Sequence, residues 1–395
     1  MKFDNVFKLI LINFFNHLYF FNAIATFIYL QKGLNLFQIV SLEAVLVLFI
    51  LFGEVPTGMF ADRYGRKTSI IAYCLVLLIS EIIFLFGQGF WMLALSSAFA
   101  GLALSFYSGA GEALLYDSLK EERKQHLMKK YMGTIGASTL AAYIIASVSG
   151  SIIGADLSMK SFMLLIQMVI IAVIIGTLFS LTLKEPKYKE KNKELNPFKS
   201  FSDGIKQIKS NPSLLRIIML SIFAAPFFHV ITLLYQPYLK SLGISVVWLG
   251  TILAISFVLS ALASKYAYKI EEKLGVSRGI LFVTLTPGIL YVILALIKNP
   301  LIATAAFIAI VAVSGFGEPL FSHYRNVHIK SFNRATVLSI ISLLGALYET
   351  TARPTIGWIA NTNINWAFLA MGTIIITAAL LIRLKPEHVK HKTGF

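Results

Sequence analysis

Twelve long apolar runs decide what this chain can become. They lie at roughly 6–30, 36–60, 69–88, 90–116, 131–155, 161–183, 213–238, 246–268, 279–297, 300–324, 335–359 and 363–383. A helix needs about 20 mainly apolar residues to cross a bilayer core. Each run is continuous rather than alternating in polarity, which argues against lipid-facing strands. In lipid the backbone must satisfy its own hydrogen bonds, so runs of this kind fold as helices. Composition closes the soluble alternative. Only 14% of residues are charged, against roughly 25% in soluble domains, too few to cover a water-facing surface. The expected fold class is an all-α membrane protein with 12 transmembrane helices. The first run is too long for a signal h-region and lacks a small-residue cleavage site, so it reads as the first span. Cys74 is the single cysteine. It can make no intrachain disulfide and has no metal-ligand spacing, so it reads as a packing or lipid-facing residue.

Charge orients the spans. Net charge is +16, and all but five of the 35 Lys and Arg fall in one set of loops and termini. The exceptions are Lys32, Lys160, Lys240 and Lys298 in the opposite loops, and Arg353 inside the eleventh run. The positive-inside rule places both termini in the cytoplasm of a multi-pass inner (plasma) membrane protein. The basic excess then serves orientation and contact with anionic membrane lipids, and no nucleic-acid partner is expected.

The longest basic connection, 184–212, separates six runs from six. It opens with a charge run at 184–194 and continues with Phe198, Phe201, Ile205 and Ile208 at helical spacing. That pattern predicts an amphipathic helix lying on the membrane surface. The expected organisation is a bundle at 1–183, a linker at 184–212 and a second bundle at 213–395. The halves repeat. Ser108-Gly-Ala-Gly-Glu112-Ala-Leu114 returns as Ser314-Gly-Phe-Gly-Glu318-Pro-Leu320. Tyr29 and Tyr238 both close the first run of their half. In membrane proteins such repeats build a site between halves that rock against each other.

After the second run comes Gly58-Met-Phe-Ala-Asp62-Arg63-Tyr-Gly65-Arg66-Lys67. Gly58 lets a helix approach its neighbour closely, and Gly65 permits a tight turn. Asp62 suits the N-terminal end of another helix. Arg63, Arg66 and Lys67 hold the loop in the cytoplasm. A loop that only set topology would need only these basic residues. The stretch resembles, at every fixed position, the signature Gly-x-x-x-Asp-Arg-x-Gly-Arg-Lys of the major facilitator superfamily. The resemblance implies two pseudo-symmetric six-helix bundles, with helices 1, 4, 7 and 10 around a central cavity. It also implies a cytoplasmic gate, in which Asp62 meets the start of helix 11 near Arg334 and Arg66 pairs with Asp117. Within the superfamily the chain is similar to the 12-helix drug/proton antiporters of multidrug efflux. Their helix 5 signature ends Gly-x-x-x-Gly-Pro-x-x-Gly-Gly. Here Ala146-x-x-x-Gly150-Ser151-x-x-Gly154-Ala155 keeps the small residues and loses the proline. That spacing equally suits any tight helix pair. The family's helix 4 Arg, four residues before a Gly, is Ser97 before Gly101 here, so that part of the usual proton mechanism is absent or relocated.

Six glutamates fall within the runs: Glu43, Glu54, Glu81, Glu112, Glu318 and Glu349. A charge at the bilayer centre costs about 2.5–3.5 kcal/mol on insertion scales, so such groups are protonated, paired or facing water. The proton-coupling candidates are Glu54, Glu112, Glu318 and Glu43. Glu43 and Glu54 are eleven residues apart and point the same way along a helix. Glu54 precedes Pro56, whose missing N–H frees a carbonyl, which suggests a hinge beside a proton site or else a neutral, hydrogen-bonded Glu. Glu112 and Glu318 are the repeat-related pair, and the resemblance buries them in the inner half of the cavity. Packing of the halves is the other reading. Glu349 and Arg353 are spaced to pair, as a structural contact or an outer gate. Glu81 sits on a helix outside the cavity by resemblance and ranks lowest. Substrate-cavity candidates are Asn13, His17, His229, Phe228, Tyr107, Tyr235 and Tyr324, although any single aromatic reads equally as lipid-facing.

The expected function is secondary active transport: proton-coupled export of a hydrophobic or cationic small molecule, antibiotics included, by alternating access. An acidic, aromatic cavity suits a lipophilic cation. One charge crossing 100 mV supplies about 2.3 kcal/mol, roughly a fifty-fold gradient. No Gly-x-x-x-x-Gly-Lys-Ser/Thr loop points to ATP. No nucleophile–base set or metal cluster points to an enzyme. The expected partners are a small-molecule substrate, protons and membrane lipids, with no cofactor beyond the proton gradient, and the protein is expected to be a monomer. The alternatives are a proton-coupled importer of a nutrient or other small solute and a nontransporting membrane receptor. The same fold serves both transport directions.

Overall fold

A computed structural model describes residues 4–186, 197–329 and 334–384. The apolar runs fold as helices that polar residues close off. Asp4 Oδ1 accepts the Phe7 amide at the start of α1 (Asn5–Asn16). Asn35 and Gln38 form a capping box on α3 (Leu36–Tyr64), which satisfies two of the orphan amides of a helix start. Among the described residues ten helical stretches, with Pro300–His328 counted as one across its break, are long and apolar enough to cross a membrane. The first and eleventh predicted spans fall outside that set. The first is broken, and the eleventh folds as a 29-residue helix that carries Glu349, Thr350, Thr351 and Arg353.

The chain divides into two compact units. The first comprises Met1–Asn192 with Ile244–Ala254, the second Lys193–Gly243 with Ile255–Phe395. The first unit packs α1, α2 (Ala25–Gln31), α3, α4 (Arg66–Phe86), α5 (Gly89–Glu121), α6 (Met128–Ile153) and α7 (Met159–Leu181). The second contains α8 (Pro197–Ser210), α9 (Pro212–Ser241), α11 (Ala267–Leu296), α12 (Pro300–Ser314), α13 (Gly317–His328), α14 (Arg334–Thr362) and α15 (Ile364–Leu381). The helix α10 (Val246–Lys265) contributes its first residues to the first unit and the rest to the second.

The sequence predicts one helix over 6–30, and the structure breaks it between α1 and α2. His17 ends α1, and a short 3-10 turn at Asn22–Ile24 restarts the chain. No Pro or Gly lies at the break, so its cause is tertiary packing. Phe21 meets Phe84 of α4 at 5.0 Å, and the Asn16 side chain donates to Cys74 Sγ at 3.3 Å. Cys74 is thus a buried acceptor rather than a lipid-facing residue. The Phe20 carbonyl lies so close to Gly150 of α6 that a Cβ there would overlap it. One turn on, a Cβ on Gly154 would strike Ile24. The small-residue motif of α6 therefore exists to receive the broken helix. Its other face, Ser147 and Ser151, receives Gly250 of α10 in the same backbone-to-backbone manner, and Ser151 Oγ donates to Val247 O at 2.9 Å.

Two further expectations change. Gly58 was expected at a close helix contact, yet a Cβ there meets nothing within 4 Å. The close approach is at Gly53, against Ser105 of α5, and Thr57 Oγ1 lies 2.9 Å from both the Gly53 and Ser105 carbonyls. The linker helix α8 forms, but its apolar face meets protein. Ile208 is buried with Leu214, Ile218, Ile329, Val337, Ile340 and Ile341, and Ile205 packs on that cluster. Phe201 stays exposed. The side chain of Phe198 and most of the charge run lie outside the described residues.

Lys32, expected in a loop, is also buried. Its ammonium donates to Leu85 O at 3.1 Å and Gly87 O at 2.8 Å, and so satisfies carbonyls at the end of α4. A second clasp is repeated in the two units. Lys8 Nζ donates to Thr182 O at 2.6 Å, and Arg216 Nη1 donates to Arg383 O at 3.4 Å. A cation early in α1 and another early in α9 thus hold the segment after the last helix of their own unit. The residues that follow, Leu183 and Leu384, are both buried.

These contacts predict opposite outcomes for two glycines. Gly150→Ala should lower the melting temperature of the detergent-solubilised protein, because the new Cβ overlaps a backbone carbonyl rather than a flexible side chain, at a cost of about 1–3 kcal/mol or more. Gly58→Ala should leave it unchanged or raise it slightly, since Ala is the better helix former by roughly 1 kcal/mol.

Candidate functional site

The signature turn is built by Gly65. Its φ is +98°, which a side chain rarely adopts, and a Cβ would strike the carboxyl of Glu185. That carboxylate accepts the amides of Arg66 and Lys67, both at 2.7 Å. It supplies the N-terminal cap that α4 lacks locally, with negative charge where the helix dipole favours it. The Arg66 guanidinium lies 3.7 Å from Asp62, on the same turn of chain, rather than pairing with Asp117 as expected. Arg63 lies over the Tyr64 ring at 5.3 Å. Glu185 is therefore a site residue that the sequence reading missed. Its signal was present as Lys184-Glu185-Pro186 directly after the sixth run. The second unit repeats the turn: Gly275 has φ +69° inside α11, preceded by Glu272-Lys273-Leu274, a degenerate copy of Asp62-Arg63-Tyr64. Ser277 Oγ, two residues on, donates to Leu384 O. Both turns are thus tied to the segment that follows the last helix of their unit.

The acids sort by unit. Glu54 and Glu112 are exposed, and their side chains make no hydrogen bond or ion pair among the described residues. Helix α3 runs unbroken through Pro56, two residues past Glu54. Glu318 was expected buried like its counterpart, but its side chain is 77% exposed and bonded to Arg325 Nη2 at 2.8 Å. An ion pair so exposed contributes little stability, and its effect is to neutralise the acid. Arg325 lies seven residues, two turns, after Glu318, while the matching position after Glu112 is Leu119. That difference was readable in the sequence. Glu349 and Arg353 do pair, at 2.6 Å, with the Arg353 side chain 3% exposed. Glu43 is half-buried on α3, within electrostatic reach of Tyr29.

The polar and aromatic candidates of the first unit come together. Asn13 Nδ2 donates to Tyr107 Oη at 2.5 Å, and His17 Nδ1 lies 2.7 Å from Asn13 O. Tyr107 packs on Tyr73 at 5.0 Å, and His17 meets Tyr143 edge-on at 5.6 Å. His17 and Tyr107 are both partly open. In the second unit His229 is exposed on α9 beside half-buried Phe228, at 5.4 Å, and within electrostatic reach of Arg353. Two candidates do not line a cavity. Tyr235 is 1% exposed and stacked on Phe307 at 4.3 Å. Tyr324 is packed among Ile217, Leu220, Ile280, Phe321 and Leu384. Both aromatics fill core positions, which helical spacing alone cannot tell from cavity positions.

The family description Major Facilitator Superfamily matches residues 9–348. The chain is 24% identical over 373 residues to the uncharacterized MFS-type transporter YxaM of Bacillus subtilis (strain 168), covering 91% of this chain and 90% of that protein. Its fold is similar to the crystal structure of a mutant of the nucleoside transporter NupG, with a TM-score of 0.84, 13% identity, and coverage of 96% of this chain and 99% of that one. It is also similar to a mutant of the peptide transporter POT, with a TM-score of 0.76, 12% identity, and coverage of 97% and 94%. The chain has a multi-pass transporter's fold, and it belongs to the Major Facilitator Superfamily.

Proposed function

We propose that the protein is a proton-coupled secondary transporter that exports hydrophobic or cationic small molecules by alternating access. One observation carries the reading: two unpaired acids, Glu54 and Glu112, stand exposed on otherwise apolar helices of the first unit. A carboxylate in such surroundings holds a proton or attracts a cation. Competition between the two couples one flux to the other, since each ligand shifts a conformational equilibrium only by its differential affinity. Tyr107 and His17 offer an aromatic and polar surface on the same unit, which suits a lipophilic cation. In the second unit Glu318 and Glu349 already hold arginines, so Phe228 and His229 are the better substrate contacts there. The termini lie in the cytoplasm, where the Glu185-capped turn acts as part of the gate, and the transporter works as a monomer.

Reconstituted liposomes under an imposed pH gradient test this reading. The panel is lipophilic cations, macrolide-like compounds, sugars, a nucleoside and a dipeptide. The expected result is proton movement stimulated by a lipophilic cation. Uptake of a sugar, nucleoside or dipeptide would instead establish import. Glu54→Gln and Glu112→Gln should each reduce coupled flux about tenfold, a loss of about 1.4 kcal/mol of coupling, while the protein still reaches the membrane. Normal flux in both variants would remove these residues from the mechanism. Glu318→Gln should reduce flux less than Glu112→Gln, because Arg325 already neutralises it.

The gate has its own test. Glu185→Ala frees the amides of Arg66 and Lys67 and should slow exchange by several-fold, within the roughly 5–150-fold range of a conformational coupling. Glu185→Gln, which retains one acceptor oxygen, should fall between the variant and the parent. Equal rates in all three proteins would make the contact incidental.

A further inference from the structure

Among the acids of the first unit that the transport reading does not use, one is deeply buried. Glu81 of α4 is 5% exposed, and its Oε2 has no hydrogen-bond partner among the described residues. An ionised carboxylate with no partner in such a place costs several kcal/mol, so the group stays neutral until something reaches it. The surroundings show what can. Phe84, one turn further along α4, meets Phe21 at 5.0 Å and Tyr29 at 5.4 Å, while Tyr19 meets Phe21 at 6.0 Å. This aromatic cluster sets the broken stretch of the first helix and α2 against the outer end of α4. Tyr19 and Tyr29 both lie within electrostatic reach of Glu81, and both are partly exposed.

Further titratable groups stand near these two tyrosines. Tyr29 lies near Glu43 of α3, and Tyr19 lies near Tyr73 of α4 and Tyr143 of α6. Tyr143 meets His17 at 5.6 Å. A cation beside this cluster, Lys32, is already held by the Leu85 and Gly87 carbonyls and lies over Phe84. Along 89–101 α5 carries no ionisable side chain, and the ionisable residue of α7 on this side is Lys160, exposed in its first turn. Among the described residues no group of three His, Cys, Asp or Glu is placed to hold a metal ion. A single carboxyl with two phenols also lacks the six to eight oxygens that a hard cation such as calcium takes. Proton chemistry is what this set can do.

We propose that Glu81 is a proton-binding site of the first unit, seated behind the break in the first helix and reached through Tyr19 and Tyr29. The step is protonation alone: the carboxylate takes one proton as the site closes, and gives it up when the broken segment moves and admits water or a hydroxyl to Oε2. The break supplies the moving part, because a non-helical stretch can rearrange without unwinding a helix. The site's role in flux rests on the proton-coupled reading above; its existence does not.

Infrared difference spectroscopy of the full-length protein in lipid, with the pH stepped, tests the site directly. The expected result is a carbonyl stretch of a protonated carboxyl in apolar surroundings that fades as the pH rises. It should be absent in Glu81→Gln and retained in Glu54→Gln and Glu112→Gln. Tyr19→Phe and Tyr29→Phe should move the pH at which it fades. Glu81→Asp, should the amide variant not fold, should shift the band. A band unchanged in the Glu81 variants, or one that fades on adding sodium at fixed pH, would overturn the proposal. So would Glu81→Gln with full pH-driven flux, where about a tenfold loss is expected. Absence of pH-driven flux in the unaltered protein would defeat the transport reading and leave the band to decide the site.

Discussion

The need to satisfy backbone polar groups away from water governs this structure, and the broken first helix shows how. Irregular backbone at membrane depth is tolerated only when protein covers it or water reaches it. Residues 17–24 meet the first condition, with Leu18, Phe21, Ala23 and Ile24 all buried. Their neighbour α6 must come close enough to cover them, and only a residue without a side chain allows the Phe20 carbonyl that position. The break and Gly150 are thus one feature. The same logic applies at Gly315 of the second unit, where a Cβ would overlap the Ser260 carbonyl. There Pro319 removes the amide that would have bonded Gly315 O, and α12 gives way to α13.

Duplication preserved the mechanics and released the chemistry. Both units keep a left-handed glycine after their second or equivalent helix, and both tie that turn to the segment after their last helix. Both clasp the same segment with a cation, from α1 in one and α9 in the other. These contacts close a bundle, and either unit needs them whatever it carries. The Ser-Gly-x-Gly-Glu segments follow no such constraint. The first copy leaves Glu112 without a partner among the described residues, and the second neutralises Glu318 with Arg325. A symmetric scaffold therefore presents an asymmetric set of charges, which a coupled transporter requires if one unit is to exchange protons.

Ten of the twelve spans, the signature turn and the Glu349–Arg353 pair were legible in the sequence because each depends on local spacing. A 20-residue apolar run, a glycine at a forced φ and an i,i+4 ion pair are settled within a few turns of chain. Features set by distant contact were not legible. The break at His17 has no Pro or Gly to announce it and depends on Phe84 and Gly150 from other helices. The cap on α4 comes from Glu185, more than a hundred residues away. Helical spacing marked Tyr235 and Tyr324 as aromatic neighbours of a cavity, but spacing identifies a face and does not say what that face meets. The same limit placed the α8 stripe on lipid, where Ile208 in fact packs into protein.

Glu81 ranked last among the acids for the reason that makes it informative now. A helix outside the cavity suggested a residue with no access to solute or water. The structure adds that the helix packs against the non-helical stretch at the break of the first helix. In a rigid bundle a buried, unpartnered carboxyl is only a defect, since nothing repays its desolvation. Beside a non-helical segment bearing the Tyr19 hydroxyl, with that of Tyr29 on the short helix after it, the cost of its charge depends on where that segment sits. A group whose charge is penalised in one arrangement and relieved in another reports the arrangement through its proton, and by linkage its proton shifts the arrangement in turn.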